Sequence, residues 1–179
     1  MPNIVLVGFM GTGKTTVGRA IAKKLGLQFI DTDAVIEQKN QVKIADVFAQ
    51  HGEPYFRDLE SQAVQEVARM DNQVVSTGGG VVLRLSNLEH LKQNGRIFCL
   101  TATSKTIWCR VRGNVDRPLL KSADPIRHIE ALLQQRAPYY AVADYQIQTT
   151  NIPVAKVADQ IIAYSVAEQP PPTANENLY

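Results

Sequence analysis

The chain has 179 residues, about the size of one domain, and its 45% hydrophobic and 20% charged residues are typical of a soluble globular protein. Its net charge of +2 is too small to indicate a partner such as nucleic acid or an anionic membrane. Two cysteines exclude a disulfide framework, and no apolar run approaches the roughly 18 residues that a membrane-spanning helix needs.

Strand and helix patterns alternate along the chain. A short β-branched run at 4–7 predicts a buried strand, and helical spacing of apolar residues then continues to Gly26, which is expected to end the first helix. In chain order, the pattern predicts a strand at 4–7, a helix at 17–25, a strand at 28–31, polar periodic stretches at 34–40 and 44–50, a helix at 54–70, a strand at 74–76, a helix at 86–93, a strand at 96–100, helices at 104–111 and 125–136, a strand at 145–148 and a helix at 154–162.

Five strands separated by helices predict an α/β fold in which a five-stranded parallel sheet is flanked by helices on both faces. In folds of this kind, ligands bind beyond the carboxyl ends of the strands. The residues that directly follow each strand are therefore the first candidates for a functional site.

The first such segment, Gly8–Thr15, matches the phosphate-loop pattern G-x-x-x-x-G-K-[ST] in full. Its glycines let backbone N–H groups converge on phosphate oxygens, Lys14 supplies a charge for the β- and γ-phosphates, and the Thr15 hydroxyl can bind Mg²⁺. The alternative is a glycine turn before an amphipathic helix. Because a strand precedes the segment and a helix follows it, we predict a nucleoside-triphosphate site in a P-loop NTPase-type three-layer fold. The expected nucleotide contacts are Gly11, Thr12, Gly13, Lys14, Thr15 and Thr16.

Two carboxylates, Asp31 and Asp33, follow the second strand. Their spacing puts both on the same side of the chain, close to the phosphate loop in a parallel sheet. One can hold Mg²⁺ through water while the other orients a substrate hydroxyl. The alternative is a polar turn in which Asp33 caps the next helix, and this short pattern alone does not decide between them.

Three arginines, Arg57, Arg117 and Arg136, can each bind a carboxylate or phosphate through two parallel hydrogen bonds. Each can equally be a solvated or salt-bridged helix residue. Arg57 and Glu60 also have the spacing of an ordinary helical ion pair.

Taken together, these motifs resemble the shikimate kinases over about residues 3–163. The combination is specific, whereas a phosphate loop alone occurs in many unrelated proteins. The segments that carry the resemblance are Gly8–Thr15, Asp31–Asp33, Gly52–Glu60, Ser76–Gly80, Arg117–Leu120 and Arg136–Asp144.

The resemblance implies transfer of the γ-phosphoryl group of ATP to the 3-hydroxyl of shikimate, giving shikimate 3-phosphate and ADP in aromatic amino acid biosynthesis, with Mg²⁺ as cofactor. It implies that Asp33 binds ring hydroxyls and acts as the base, and that Arg57 and Arg136 hold the shikimate carboxylate. The other implied roles are substrate contacts from Gly78, Gly79 and Gly80, support of Arg57 by Glu60, outer-shell support of magnesium by Asp31, and nucleotide contacts from Arg110 and from the catalytic Arg117 on a mobile lid.

The expected organisation is a single kinase domain at 1–167, with a substrate-binding helical segment at about 33–61 and the lid at about 112–124. Residues 168–179 are rich in proline and end like the start of a tag-cleavage sequence, so we expect a disordered or tag-derived tail. With no charge before Lys14 there is no basic leader, and we expect a cytoplasmic protein with two buried thiols. The resemblance implies a monomer with one small-molecule substrate.

Two other functions remain open from the sequence. A kinase of another small acceptor, such as gluconate or a nucleoside monophosphate, is the nearer one, although a single tryptophan and 7% aromatic residues do not favour a base-stacking pocket. A non-catalytic ATP-binding module is the other, and the presence of Lys14, Asp33 and Arg117 together argues against it. The segment at 150–153 matches the adenine-facing part of the family too loosely to assign a base contact, and Trp108 is expected to pack in the core.

Overall fold

A computed structural model of the chain describes residues 1–113 and 123–167. The strands are β1 (Asn3–Val7), β2 (Gln28–Asp31), β3 (Gln73–Ser76), β4 (Gly95–Thr101) and β5 (Tyr145–Gln148). The helices are α1 (Lys14–Leu25), α2 (Thr32–Asn40), α3 (Ile44–Ala68), α4 (Leu85–Gln93), α5 (Ser104–Val111), α6 (Pro125–Tyr140) and α7 (Val154–Val166), with one 3₁₀ turn at Val81–Leu83. The predicted tail and most of the predicted lid, including Arg117, lie outside the described residues.

The five strands form one parallel sheet in the order β2-β3-β1-β4-β5, as the alternation of elements predicts. β3 lies between β1 and β2, so that Ser76 pairs with Leu6 on one side and with Asp31 on the other. The carboxyl ends of β1, β3 and β2 therefore lie side by side. This order brings the phosphate loop, the segment after Ser76 and the aspartates after β2 to one edge of the sheet.

The core has two layers because alternate residues of each strand face opposite sides of the sheet. Val5 and Val7 of β1 belong to a cluster beneath α3, α4, α5 and α6. Ile4 and Leu6 belong to a second cluster, which packs against α1 and α7. All five residues of β1 are buried, which explains the continuous apolar run that predicted this strand.

Helix α3 bends at Gly52, whose backbone angles of φ 78° and ψ 178° are not helical. The bend separates the two stretches that the sequence pattern predicts at 44–50 and 54–70. Pro54 fits beside it because proline is tolerated in the first turn of a helix, where its missing N–H has no partner to lose. The second half of α3 thus begins just before Arg57 and Glu60.

The two cysteines differ in their surroundings. Cys99 is buried on β4, as expected, but Cys109 on α5 is exposed, so the prediction of two buried thiols is wrong for Cys109. Helix α5 buries the face that carries Ile107 and Val111, and Cys109 lies on the opposite side. Trp108 is half-buried and packs against the larger core cluster, which agrees with the expected packing role.

No described helix combines the length and the apolar character that crossing a membrane requires.

Candidate active site

The phosphate loop between β1 and α1 has the backbone shape of an anion cradle. Gly11 and Gly13 have φ values of 75° and 102°, in the left-handed region that favours glycine. Gly13 is the N-cap of α1 and supplies no side-chain cap, so the first N–H groups of the helix remain directed at a ligand. The residues present therefore fit a bound phosphate group.

Lys14 lies across this loop with its ammonium group buried. Its Nζ donates to the carbonyl oxygens of Gly8 at 2.7 Å and Phe9 at 3.0 Å. The Thr12 hydroxyl donates to the Phe9 oxygen at 2.7 Å and braces the same turn. The cation is thus held on the loop where the terminal phosphates of a nucleotide would lie.

Three oxygen-bearing side chains meet beside Lys14 at the sheet edge. The Thr15 hydroxyl donates to Asp31 Oδ2 at 3.1 Å and lies 3.4 Å from the Ser76 hydroxyl. Hydroxyl and carboxylate oxygens are the ligands that Mg²⁺ prefers, usually together with substrate phosphates. The donor set therefore fits magnesium, although the described residues include no cluster of three or more His, Cys, Asp or Glu side chains that could hold a metal alone.

The two aspartates at the carboxyl end of β2 have different surroundings. Asp31 Oδ1 accepts the N–H of Asp33 at 3.1 Å, so Asp31 is the N-cap of α2. The alternative in which Asp33 caps the helix is therefore wrong, because the cap position falls two residues earlier. The side chain of Asp33 instead lies beside the glycines that follow β3.

Those glycines, Gly78–Gly80, form a triglycine segment that lies against several of the predicted site residues. A Cβ atom on Gly78 would lie 2.8 Å from both Asp33 Oδ1 and Glu60 Oε1. A Cβ atom on Gly80 would collide with the Arg57 guanidinium. Only residues without side chains allow these groups to approach so closely.

Gly79, the central glycine of this segment, lies against the phosphate loop. A Cβ atom there would be 3.3 Å from the backbone nitrogen of Met10 and 3.6 Å from the carbonyl oxygen of Gly8. The triglycine segment is therefore a wall shared by the phosphate cradle and by the carboxylate and guanidinium groups.

Arg57 is fixed between two carboxylates of α3. Its Nη1 donates to Glu60 Oε2 at 2.7 Å, and its Nη2 donates to Glu53 Oε1 at 2.9 Å. Burial acts to lower the Arg57 pKa, but the charges and hydrogen bonds of Glu60 and Glu53 outweigh it and raise that pKa. Arg57 thus remains cationic in a partly desolvated position.

Glu60 is fully buried, with an exposed fraction of 0%. Burial raises the pKa of its carboxyl above the ordinary value of 4.5, and the neighbouring Arg57 offsets only part of this effect. Arg84 adds a second positive charge nearby and donates to the Arg57 carbonyl oxygen at 3.0 Å. The pair of Arg57 and Glu60 is therefore more than the surface ion pair that its spacing also suggests.

Arg136 reaches the triglycine segment from α6. Its Nη1 donates to the Gly79 oxygen at 3.4 Å, and its Cζ lies 5.4 Å from the centre of the Phe9 ring. The Tyr140 hydroxyl donates to the same oxygen at 2.8 Å. Sequence reasoning assigned no role to Tyr140, although it lies in the segment Arg136–Asp144 that carries the resemblance; its four-residue spacing from Arg136 on α6 is the signal that could have found it.

A cleft of about 390 Å³ opens on the other side of the phosphate loop. Arg110 lies at its wall and donates to the carbonyl oxygens of Gly11 at 3.1 Å and Thr149 at 2.8 Å. The predicted residues Gly11, Thr12, Gly13 and Thr16 also line it. Its apolar side chains, which the sequence did not identify as a set, are Val17, Val111, Ile152, Val154 and Val157.

The structure thus places the predicted site residues that it describes at one edge of the sheet. The nucleotide candidates lie along the phosphate loop and its cleft, and the acceptor candidates lie beside the triglycine segment. The described site residues are Gly11, Thr12, Gly13, Lys14, Thr15, Thr16, Asp31, Asp33, Arg57, Glu60, Gly78, Gly79, Gly80, Arg110 and Arg136. Arg117 is not among the described residues.

Comparison with known proteins identifies the family. The family model described as shikimate kinase matches residues 10–165. The chain belongs to the shikimate kinase family. Membership makes it an ATP-dependent kinase, and it confirms the resemblance seen in the sequence motifs.

Individual relatives agree with this family. A shikimate kinase of Thermodesulfovibrio yellowstonii is 46% identical over 162 residues, which cover 90% of this chain and 94% of the relative. A shikimate kinase of Acinetobacter baumannii, solved in complex with shikimate, is 38% identical with a TM-score of 0.86, over 90% of this chain and 91% of that chain. A gluconokinase of Sinorhizobium meliloti, over 90% of each chain, has a TM-score of 0.56 at 18% identity, which shows only a shared fold.

Proposed function

We propose that this kinase transfers the γ-phosphoryl group of ATP to the 3-hydroxyl of shikimate, giving shikimate 3-phosphate and ADP for aromatic amino acid biosynthesis. The observation that carries the proposal is the shared triglycine wall. Gly79 contacts the phosphate loop on one side, while Arg57 approaches Gly80 and Arg136 binds the Gly79 carbonyl. An acid bound between the two guanidinium groups would therefore lie next to a nucleotide in the phosphate loop.

The nucleotide is proposed to bind along residues 11–16 with its base in the adjoining apolar cleft. Backbone N–H groups of the loop and the N-terminus of α1 stabilise the phosphates, and Lys14 neutralises charge on the transferring group. Arg110 donates hydrogen bonds to the carbonyl oxygens of Gly11 and Thr149, which fixes the position of the phosphate loop relative to the cleft. Arg117 is proposed from the family motif as a further cation on the γ-phosphate.

Magnesium is proposed to bind beside Thr15, with Asp31 supporting it from its outer shell. When bound, Mg²⁺ neutralises charge on the β- and γ-phosphates and orients them for transfer. The Ser76 hydroxyl, 3.4 Å from Thr15, is positioned to assist Asp31 in this support.

The acceptor is proposed to bind with its carboxylate between Arg57 and Arg136 and its ring hydroxyls at Asp33. Guanidinium groups suit this task because they bind a carboxylate through two parallel hydrogen bonds. Asp33 would accept the proton of the attacking hydroxyl while orienting it, and Glu60 keeps Arg57 in place. Closure of the lid at 112–124 would exclude water and limit wasteful ATP hydrolysis.

Acceptor-dependent ADP release from the purified protein tests this function. With ATP and Mg²⁺, we expect rapid release with shikimate and only background release with gluconate, a nucleoside monophosphate or no acceptor. A Lys14→Met variant controls for contaminating kinases and should lose the shikimate-dependent rate. Robust turnover of gluconate alone would replace the proposed acceptor, and nucleotide binding without any turnover would indicate a binding module.

We further propose that the enzyme acts as a cytoplasmic monomer. The family resemblance supports the monomer, and both cysteines are free, which suits a reducing compartment. Light scattering during gel filtration should give a mass near 19.8 kDa, and a mass of twice this value would contradict the proposal.

A further inference from the structure

Two side chains of α6 share a single acceptor, the carbonyl oxygen of Gly79. Tyr140 Oη donates to it at 2.8 Å, whereas Arg136 Nη1 is more distant at 3.4 Å. The Tyr140 side chain belongs to the core cluster beneath the sheet, and the residue is only 7% exposed. The shorter hydrogen bond therefore comes from the residue that is anchored in the core.

Arg136 and Tyr140 differ in whether they must move when an acidic acceptor binds. To bind an acidic acceptor with both of its parallel N–H groups, Arg136 must turn toward that ligand, and its long bond to Gly79 is easily given up. Tyr140 is not proposed to contact the acceptor, so it can keep its hydrogen bond to the Gly79 carbonyl. Burial raises the pKa of its phenol to about 12, with Arg136 opposing this, so the hydroxyl remains protonated and can donate throughout the neutral range.

The Gly79 carbonyl controls the direction of a neighbouring donor. It belongs to the peptide group that joins Gly79 to Gly80, and in a planar trans peptide the N–H points away from the C=O. Among the residues that the structure describes, the backbone N–H groups of Gly79 and Gly80 donate no hydrogen bond to the protein. The Gly80 N–H therefore points away from Tyr140 and receives no acceptor from the described residues, while Gly80 itself lies beside the Arg57 guanidinium.

We propose that Tyr140 is a positioning residue for the acceptor. By holding the Gly79 carbonyl, it directs the Gly80 N–H toward an acceptor carboxylate and fixes the separation between α6 and the triglycine segment. Arg136 is thereby free to bind the same carboxylate. The inference rests on the proposed function, because it assumes that an acidic acceptor occupies the space between Arg57 and Arg136.

The test compares Tyr140→Phe with Tyr139→Phe. The first substitution keeps the buried ring and removes only the hydroxyl, and the second makes the same change on a neighbour that is 40% exposed. For Tyr140→Phe we expect the KM for shikimate to rise about tenfold, with kcat and the KM for ATP changing less than twofold. Tyr139→Phe should leave all three constants unchanged. An unchanged KM for shikimate, or an equal loss for ATP, would overturn the proposal.

A second measurement does not depend on the acceptor. Hydrogen–deuterium exchange in the free protein should be faster at the Gly78 amide, which donates to the Thr32 hydroxyl at 3.2 Å, in Tyr140→Phe than in Tyr139→Phe, because the segment loses its shortest tether to α6. Equal exchange in both variants would overturn the positioning role. Failure of the wild-type protein to phosphorylate shikimate would instead contradict the proposed function, and the exchange comparison would still decide the role of Tyr140.

Discussion

At the scale of single residues, burial and neighbouring charges determine how a charged side chain behaves more than its residue type does. Arg57 and Glu60 lie three residues apart on α3, an arrangement that on a surface contributes little. Here Glu60 is fully buried, and burial raises its pKa. The ionisation state of this one carboxyl therefore determines whether Arg57 has a buried counter-ion.

This arrangement predicts a pH-dependent affinity for the acceptor. Because the Glu60 pKa is raised, this carboxyl takes up a proton at a higher pH than an exposed glutamate, and Arg57 then loses its main partner. We expect the wild-type KM for shikimate to rise as the pH is lowered from 8 toward 5. Glu60→Gln should show a raised KM with a flatter profile over the same range. The control, Glu53→Gln, should retain the wild-type pH profile, and an identical profile in all three proteins would contradict the coupling.

Asp33 is expected to matter for both turnover and binding. A positioned general base contributes roughly 10²- to 10⁴-fold to a rate, so Asp33→Asn should lower kcat by about that factor and also raise the KM for shikimate. Steady-state kinetics and thermal unfolding measure the two effects separately, and the melting temperature should stay close to that of the wild type. Asp46→Asn, on the exposed side of α3, is the matched control. Near-normal turnover of Asp33→Asn would exclude it as the base.

The cysteines provide a check on local packing. Burial raises the pKa of Cys99 to about 12, only partly opposed by Lys14, whereas Cys109 is exposed on α5. We expect a thiol reagent to modify one cysteine quickly in the native protein and the second only after unfolding. Cys109→Ser should abolish the fast reaction. Two equally fast thiols would show that β4 is more open than described.

At the scale of elements, the triglycine segment requires glycine for steric reasons. A Cβ atom on Gly80 would displace the Arg57 guanidinium, while one on Gly26, at the end of α1, would meet no atom of the described residues within 4 Å. The same substitution at these two positions therefore separates crowding of the site from the general cost of replacing a glycine.

We predict that Gly80→Ala raises the KM for shikimate at least tenfold and leaves the KM for ATP nearly unchanged. Overpacking of this kind typically costs about 1–3 kcal/mol. Gly26→Ala, which is strained by its φ of 65° but lies outside the site, should keep both constants at their wild-type values, as measured by steady-state kinetics. Equal effects of the two substitutions would mean that Arg57 accommodates the added methyl group.

The elements themselves could be predicted because their signals are local. The apolar run of β1, the Gly26 stop and the Asp124-Pro125 start each depend on neighbouring residues only, and the structure confirms all three. The position of Asp31 as the N-cap of α2 was not predicted, because either Asp31 or Asp33 is a residue type that can cap a helix at that turn. Tyr140 and the apolar cleft were missed because their partners, Gly79 and residues 149–157, are distant in sequence.

At the scale of the whole molecule, strand order explains how distant motifs meet. β3 enters the sheet between β1 and β2, so the segment after Ser76 lies between the phosphate loop and Asp33. Sequence alone predicts a parallel sheet but does not determine this order. The groups proposed for the nucleotide and those proposed for the acceptor therefore form two sets that meet at Gly78–Gly80.

This division predicts different kinetic defects for two arginine substitutions. Arg136→Ala removes a carboxylate contact on the acceptor side and should chiefly raise the KM for shikimate. Arg117→Ala should instead lower kcat far more than it weakens shikimate binding, since the proposed role of Arg117 is on the transferring phosphoryl group. Steady-state kinetics with each substrate varied in turn measures both. An unchanged KM in Arg136→Ala, or an unchanged kcat in Arg117→Ala, would remove that residue from its assigned role.

Three residues without side chains border both proposed substrate sites, so a single thickness of backbone lies against the phosphate loop and against Arg57. Where one ligand shifts the Gly79 peptide, that shift couples the two proposed sites. Thermodynamic linkage then requires the factor by which a nucleotide alters the dissociation constant of the acid to equal the factor by which the acid alters that of the nucleotide.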